Sequence, residues 1–453
     1  MISFEKVNQF DKLYHVWNYY FYFAHSRLYY RNVRIIGEEH IPPKGVPTFV
    51  IANHQNALMD ALAILYLFRN KRQPIFIARG DIFKKSVIVA KLLRFLKILP
   101  TFRSRDGGRD DIRSNLETFD LAARFLNEGA TVCMFPEAKH QPGRFFSTFK
   151  KGYPRLAFRS AELSDYQNNL KILPIAIYYT NYFHMRYDLV MVIGEPFGLE
   201  PFYEKYKAEP NNAYLALNEK SKAIIQEMGI DVKDEEHYGQ YETAFAIGRK
   251  KMIEKEHLPG KDPYSALLSD KKIMGILDEM HLQQPEKFSA IMLQAAEYKE
   301  GMEKLNLRTW QLEQTTSTFQ LVLRFFWLLL SFPVFLFGFI NNFVPFYACE
   351  LPKRNLQDKM FTSTINFGVS VIVMFPLCYL LLFVLVALIS HSCLFSLGYL
   401  VASFITIFVQ YGWRKYAIKT LSLCRYHRYE RGKNALLAKI KSARQSILSN
   451  LGL

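Results

Sequence analysis

The feature that most constrains this chain is a block of apolar residues between positions 317 and 411. Two runs within it, 365–389 and 394–409, contain no charged residue and are about as long as the hydrocarbon core of a bilayer requires. Only residues 390–392 separate the two runs, so we expect them to form a transmembrane hairpin. The sequence therefore predicts an integral membrane protein that has the lipid bilayer as its partner.

The basic residues are concentrated after this block. Residues 412–453 hold ten Lys and Arg but a single acid, Glu430, in a chain whose formal charge is +17. A basic segment next to an apolar one is typical of the cytoplasmic side, where it is attracted to anionic lipid. Nothing resembles a nucleic-acid-binding motif, so we expect no nucleic-acid partner. The five cysteines show no C-x-x-C spacing, which predicts neither a metal site nor a disulfide framework.

The amino-terminal segment, residues 1–32, is aromatic. Residues 13–30 are dense in Tyr and Phe, but the run is too short to span a bilayer, and a helix lying on the membrane surface is expected. The alternative is an ordinary helix packed on the following domain. The first twelve residues are too polar for a secretory signal.

Residues 33–202 follow an α/β pattern. Apolar runs bounded by turn residues predict strands, and amphipathic runs between them predict helices. The alternation indicates a mostly parallel sheet flanked by helices, and residues 203–316 show no strand pattern and are interpreted as a helical connector. Strands are expected at 33–37, 48–54, 74–79, 98–102, 130–137, 171–179 and 187–196, and helices at 60–68, 83–96 and 111–127.

Polar residues follow two of the predicted strands. Asn53 and His54 come directly after one strand, and Asp60 lies at the start of the next helix. A His with a nearby carboxylate suits a general base, because the carboxylate fixes the tautomer and stabilises the imidazolium. A structural role for both residues, with Asp60 flanking the helix amino terminus, is the alternative.

A second polar loop follows the strand at 130–137. It contains Phe135, Pro136, Glu137, Lys139 and His140. Incidental charges at a strand exit would look the same. Because such sheets carry reactive groups at the carboxyl ends of parallel strands, we expect this loop to lie at the same edge as His54.

A third feature is the basic turn at 99–108. It contains Arg103 and Arg105 beside Gly107 and Gly108, a composition that suits phosphate binding. A solvated basic turn would have the same composition.

Together and in this order, these blocks resemble the glycerolipid acyltransferase family, which includes the glycerol-3-phosphate and 1-acylglycerol-3-phosphate (lysophosphatidate) acyltransferases. The His–Asp block of the family matches Asn53, His54 and Asp60, and its F-P-E-G block matches 135–138. The basic block matches the stretch around Arg103 and Arg105, and the hydrophobic-proline block matches 172–175, which contains Pro174. The resemblance covers about residues 30–200.

The resemblance implies a role for each matching residue. His54 would take the proton from the acceptor hydroxyl, and Asp60 would orient His54. Direct attack on an acyl thioester then needs neither an acyl-enzyme nor a cofactor, with acyl-CoA or acyl carrier protein as donor. The acceptor and donor sides would be formed by the other matching residues: Arg103, Arg105, Lys139 and His140 at the acceptor phosphate, Glu137 organising the acceptor pocket, and Pro174 on the donor side.

Two departures from the family pattern bear on the acceptor. Five residues lie between His54 and Asp60 where the family has four, a spacing similar to the glycerol-3-phosphate/dihydroxyacetone-phosphate branch. Ala138 stands where the family has Gly, and Lys139-His140 replaces the common Thr-Arg. We therefore expect glycerol-3-phosphate as acceptor. The alternatives are lysophosphatidate or another lysolipid, a non-catalytic lipid-binding membrane module, and a transporter.

The charges also predict a topology. The catalytic part, the basic loop at 349–359 and the tail are all expected on the cytoplasmic face, of either a bacterial inner membrane or an endoplasmic reticulum. This requires an even number of membrane crossings between any two of these three segments. The apolar run 321–340 is interrupted by Arg324 and Pro333, so we expect it to enter and return with a turn near Pro333. A single crossing is the alternative.

Overall fold

The computed structural model describes residues 4–69, 72–84, 86–101, 109–140, 143–314 and 316–453, with only the backbone of 109–115. The chain divides into two compact units. The sheet unit comprises Met1–Asp231 and Leu356–Thr364, and the helical unit comprises Val232–Asn355 and Ile365–Leu453. The sheet unit thus continues past the predicted domain boundary at residue 202.

The sheet unit is built on seven strands in the order β1-β7-β6-β2-β5-β3-β4. All neighbouring strands are parallel except β6 and β7, which are antiparallel. The predicted fold class, a mostly parallel sheet flanked by helices, is confirmed. The strands are β1 Asn32–Ile36, β2 Thr48–Ala52, β3 Ile75–Arg79, β4 Ile98–Thr101, β5 Thr131–Met134, β6 Lys171–Tyr179 and β7 Asp188–Ile193.

Helices connect and cover these strands. Every residue of β2 is buried, as expected for a strand with neighbours on both sides and helices on both faces. The helices are α1 Lys12–Phe23, α2 Leu58–Leu67, α3 Val87–Phe95, α4 Arg109–Asn127, α5 Gly152–Glu162, α6 Tyr203–Ala208 and α7 Pro210–Met228. A π-helical turn at Ala24–Tyr29 and 3-10 turns at Glu38–His40, Gly80–Ile82 and Glu200–Phe202 complete this part.

The aromatic amino-terminal helix α1 has two different faces. One face is buried and includes Tyr14 and Phe21, and the Tyr14 ring meets Phe95 of α3 edge-on at 5.6 Å. The other face exposes large apolar side chains, among them Leu13 and Val16. The buried face matches the alternative of a helix packed on the domain, while the exposed apolar face is the one a membrane surface would cover.

The helical unit contains no strand among its described residues. Three helical stretches among the described residues, Thr318–Tyr347, Lys359–Ser390 and Cys393–Arg431, are long and apolar enough to cross a membrane. The helices are α8 Tyr238–Lys255, α9 Pro263–Gln283, α10 Pro285–Lys304, α11 Thr318–Tyr347, α12 Glu350–Lys353, α13 Thr362–Ile365, α14 Phe375–Ser390, α15 Cys393–Arg431 and α16 Ala435–Asn450. A π-helical stretch at Asn366–Met374 and a 3-10 turn at Thr309–Gln311 accompany them, whereas the 3-10 turn at Lys359–Phe361 and the first three residues of α13 belong to the sheet unit.

The predicted turn near Pro333 is wrong, because α11 runs through Pro333 as one 30-residue helix. Proline removes one intrahelical hydrogen bond, but its fixed φ is compatible with a helix, so a single proline bends a long apolar helix without reversing it. The helix begins with a capping box of Ser317 and Gln320. At the predicted hairpin, by contrast, only His391 and Ser392 separate α14 from α15.

Helices α11 and α15 pack closely through small and polar residues. A Cβ added at Gly338 would lie 2.9 Å from the backbone oxygen of Thr406, so glycine permits this approach. The Asn342 amide donates to the Ser403 carbonyl at 3.2 Å and accepts from the Tyr379 hydroxyl at 2.8 Å. These bonds join α11, α14 and α15 and satisfy polar groups that would have no partner in the apolar core of a membrane.

Candidate active site

The site begins where β2 ends. Asn53 is buried, and its side-chain amide donates to the Ile177 carbonyl at 2.9 Å while accepting from the Ile177 amide at 2.7 Å. These two bonds continue the β2–β6 pairing one residue beyond the strand. Asn53 therefore fixes the direction in which the next residue, His54, leaves the sheet.

His54 and Asp60 contact each other as the sequence predicted. His54 Nδ1 lies 2.8 Å from Asp60 Oδ2, and the same oxygen accepts the backbone amides of Gln55 and Asn56 at 2.8 Å. Asp60 is in the first turn of α2 and is fully buried, whereas the His54 side chain is 18% exposed. With its proton on Nδ1, His54 donates to Asp60 and keeps Nε2 as an acceptor.

Sequence reasoning missed Tyr179. Its hydroxyl donates to the second oxygen of Asp60 at 2.7 Å, so four donors satisfy this carboxylate. Burial, followed by the charge of Asp60, raises the pKa of Tyr179 well above its ordinary value, which keeps the hydroxyl protonated. The available signal was its place at the end of β6, because β6 and β2 are parallel and end at the same edge.

Glu137 holds two loops together at this edge. Its Oε1 accepts the backbone amide of His54 at 2.9 Å, and its Oε2 accepts the amide and hydroxyl of Ser147 at 2.9 and 2.8 Å. Burial raises the pKa of Glu137, although these hydrogen bonds oppose the rise. Both carboxylate oxygens are engaged inside the protein, so Glu137 positions the backbone of His54.

Aromatic rings surround the His54 imidazole. The Phe135 ring is stacked on it with centroids 4.4 Å apart, and the His140 ring meets it edge-on at 5.6 Å. Phe135 and His140 both follow β5, which is parallel to β2, so the predicted meeting of the two loops is observed. Pro136 is buried in the same loop, and its carbonyl accepts the Lys150 amide at 2.8 Å.

Ala138 has an unusual backbone conformation. Its φ is +56°, in the left-handed region that a Cβ disfavours. The glycerolipid acyltransferase family, which the sequence resembles, has glycine at this position. The loop therefore holds an alanine in a conformation that glycine adopts more easily.

The remaining predicted site residues lie in three different places. Lys139 is exposed beside His140. Pro174 is buried within β6, in register with Ile51 of β2, three residues before the Asn53 contact. Arg103 and Arg105 lie outside the described residues. Among the residues that are described, no group of His, Cys, Asp and Glu side chains could hold a metal ion.

Comparison with known proteins finds a family model that matches part of the sheet unit. Residues 32–178 match the family model described as Acyltransferase. These residues are similar to acyltransferase domains. The matched range contains His54, Asp60 and Glu137, and Tyr179 follows its last residue.

Two similar proteins carry related names. Over 120 residues the chain is 32% identical to a 1-acyl-sn-glycerol-3-phosphate acyltransferase of Chlamydomonas reinhardtii, which corresponds to 26% of this chain and 33% of that protein. The chain thus matches about a third of that relative's length. A solved structure, the 1-acyl-sn-glycerophosphate (LPA) acyltransferase PlsC of Thermotoga maritima, has 21% identity and a TM-score of 0.31, covering 49% of this chain and 78% of that one.

Proposed function

We propose that this protein is a membrane-bound O-acyltransferase that moves a fatty acyl group from acyl-CoA or acyl carrier protein to the hydroxyl of glycerol-3-phosphate. The observation that carries the proposal is the 2.8 Å contact between His54 Nδ1 and the buried Asp60 within an acyltransferase domain. We also propose that the site lies at the cytoplasmic surface of the bilayer, where soluble donors and acceptors reach it.

The arrangement around His54 suits a general base. Asp60 occupies Nδ1, so Nε2 is the nitrogen that can accept a proton. As the acceptor hydroxyl attacks the thioester carbonyl, its proton passes to Nε2 and the buried carboxylate stabilises the resulting imidazolium. The stacked Phe135 ring restricts the imidazole to one plane during this transfer.

The reaction needs no covalent enzyme intermediate. The new ester C–O bond forms as the hydroxyl oxygen attacks, and the tetrahedral intermediate collapses with cleavage of the C–S bond. The departing thiolate takes the proton from His54 Nε2, which returns the base to its starting state. The products are the acylated acceptor and the free thiol of the donor.

A phosphate-bearing acceptor fits the charges near the base. Lys139 and His140 follow β5 at the sheet edge that carries His54, and the His140 ring touches His54. Both side chains can carry positive charge and donate to a phosphate. Arg103 and Arg105 are proposed to assist, and Pro174 is proposed to shape the donor side through its place in β6.

A second candidate acceptor is 1-acylglycerol-3-phosphate. The name of the Chlamydomonas relative favours it. The two candidates share the phosphate and the base chemistry, and they differ in whether an acyl chain is already present.

An acceptor panel distinguishes these functions. Purified protein in lipid is given labelled palmitoyl-CoA or palmitoyl acyl carrier protein with glycerol-3-phosphate, dihydroxyacetone phosphate, lysophosphatidate or other lysophospholipids. His54→Ala is expected to lower kcat by about 10²–10⁴-fold, the usual contribution of a general base. His281→Ala, an exposed histidine on α9, is the matched control and should retain full activity.

Each outcome has a definite meaning. Transfer to glycerol-3-phosphate that is lost in His54→Ala supports the main proposal. A preference for lysophosphatidate keeps the mechanism and replaces the acceptor. Full activity of His54→Ala would refute the mechanism, and no transfer with any pair would favour a non-catalytic lipid-binding module.

A further inference from the structure

A short segment from the apolar part of the chain belongs to the sheet unit. Leu356–Thr364 lies between α11 and α14 in sequence, yet it is part of the same compact unit as the acyltransferase domain. The segment contains a 3-10 turn at Lys359–Phe361. The Asp358 side chain caps this turn by accepting the Met360 backbone amide at 2.9 Å. Met360 and Ser363 are buried, so the segment is packed against the unit.

Hydrogen bonds attach the segment next to the catalytic loop. The Ser363 hydroxyl donates to the Tyr182 carbonyl, and the Tyr29 hydroxyl donates to the Ser363 carbonyl at 3.4 Å. The same Tyr182 carbonyl accepts the Asn56 side-chain amide at 3.3 Å, and the Tyr182 hydroxyl donates to Gln55 at 3.0 Å. One residue, Tyr182, thus joins the segment to the loop that carries His54.

The segment also reaches the ring beside His54. Asp358 Oδ2 lies 2.5 Å from His140 Nε2, and the Phe361 ring meets the His140 ring edge-on at 5.1 Å. On its other side the His140 ring lies edge-on to His54 at 5.6 Å. The His140 imidazole is therefore enclosed between the base and the segment.

This contact determines what His140 can do. With Nε2 on the carboxylate, Nδ1 is the ring nitrogen left to contact a substrate. Burial alone would raise the pKa of Asp358, but the hydrogen bonds from His140 and the Met360 amide outweigh it and lower the pKa.

We propose that Leu356–Thr364 completes the active site and that Asp358 is a positioning residue, which holds His140 through Nε2 so that Nδ1 binds the acceptor phosphate. The two anions then face different nitrogens of one ring, Asp358 at Nε2 and the phosphate at Nδ1. This inference rests on the proposed function. It adds a residue far outside the family-matched range to the acceptor site.

The test separates acceptor binding from chemistry. In full-length protein in lipid, Asp358→Asn is expected to raise the acceptor KM about tenfold, while the donor KM and kcat change less than twofold. Asp358→Glu should recover part of the loss, because it keeps the charge. The matched control is Glu350→Gln, an exposed acid paired with Lys353 on α12, which should leave every constant unchanged.

A double variant tests whether Asp358 acts through His140. If it does, His140→Ala and His140→Ala/Asp358→Asn have the same acceptor KM. An additive increase, or an unchanged KM in Asp358→Asn, would overturn the inference while wild-type transfer leaves the proposed function intact. Wild-type protein without transfer to any acceptor would refute the proposed function itself. Hydrogen exchange of residues 356–364 checks that the segment stays packed in each variant. If the segment is no longer packed in Asp358→Asn, the acceptor KM of Asp358→Glu tests the inference instead.

Discussion

Asp60 and His54 are joined by a 2.8 Å hydrogen bond although five residues lie between them in the chain. The connection passes through Ala57, which precedes α2 with φ +47° and ψ −127°. A residue with a Cβ rarely adopts this conformation. The backbone between His54 and Asp60 is therefore held by the bonds around the carboxylate and not by its own preference.

Tyr179→Phe removes one of the four donors to Asp60. A hydrogen bond to a charged group contributes about 1.5–3 kcal/mol, so we expect kcat/KM to fall about tenfold or more. The carboxylate then orients the His54 imidazole less well, so the loss should appear in kcat and not in the acceptor KM. Steady-state kinetics with the acceptor concentration varied separates the two constants.

Tyr182→Phe is the control for this prediction, because its hydroxyl bonds Gln55 and not Asp60. It should keep a kcat close to that of the wild type. An unchanged kcat in Tyr179→Phe would show that this hydroxyl does not act on the His54–Asp60 pair.

Glu137→Gln should change how stability depends on pH. Burial raises the folded-state pKa of Glu137 above its ordinary 4.5, so its contribution to stability is present below 4.5 and is lost as the pH rises through the folded value. Relative to Glu137→Gln, the wild-type Tm should therefore fall as the pH is raised from 4.5 to neutral. Thermal unfolding in detergent at several pH values measures this difference. The Tm difference between the wild type and Glu350→Gln, which replaces an exposed acid, should stay constant as the pH changes. A constant difference for Glu137→Gln as well would contradict the prediction.

Ala138→Gly should stabilise the protein. Glycine adopts φ +56° without the Cβ penalty, and we expect a gain of about 0.5–1 kcal/mol in the free energy of unfolding. Ala296→Gly, at an exposed position inside α10, should instead lose about 1 kcal/mol. Denaturation of both variants beside the wild type compares the two positions, and equal losses would argue against strain at Ala138.

Asn342→Leu should weaken the packing of the apolar helices. It leaves the Tyr379 hydroxyl and the Ser403 carbonyl without this partner, at an expected cost of about 1–2 kcal/mol. Tyr379→Phe removes one of these bonds and should cost less. The double variant should be no less stable than Asn342→Leu alone, and a strictly additive loss in Tm would show that the two residues act independently.

Much of the architecture could be predicted from local sequence patterns. The seven strands appear at the predicted positions because continuous apolar runs bounded by turn residues identify buried parallel strands. His54 and Glu137 were found for a related reason, since each follows a strand that ends at the same sheet edge. The turn at Pro333 was predicted wrongly, because a proline signals a bend while the surrounding helix decides whether the chain reverses.

The amino-acid order by itself determined which strands form, where the polar loops begin and which helices are apolar enough for a membrane. Tertiary structure alone decided which distant side chains contact Asp60 and His140. Tyr179 reaches Asp60 because β6 lies beside β2, and Asp358 reaches His140 because a segment 218 residues away in the chain is packed on the sheet unit. The physical reason is that hydrogen bonds and ring contacts depend on distances of a few ångströms in space, which sequence separation does not encode.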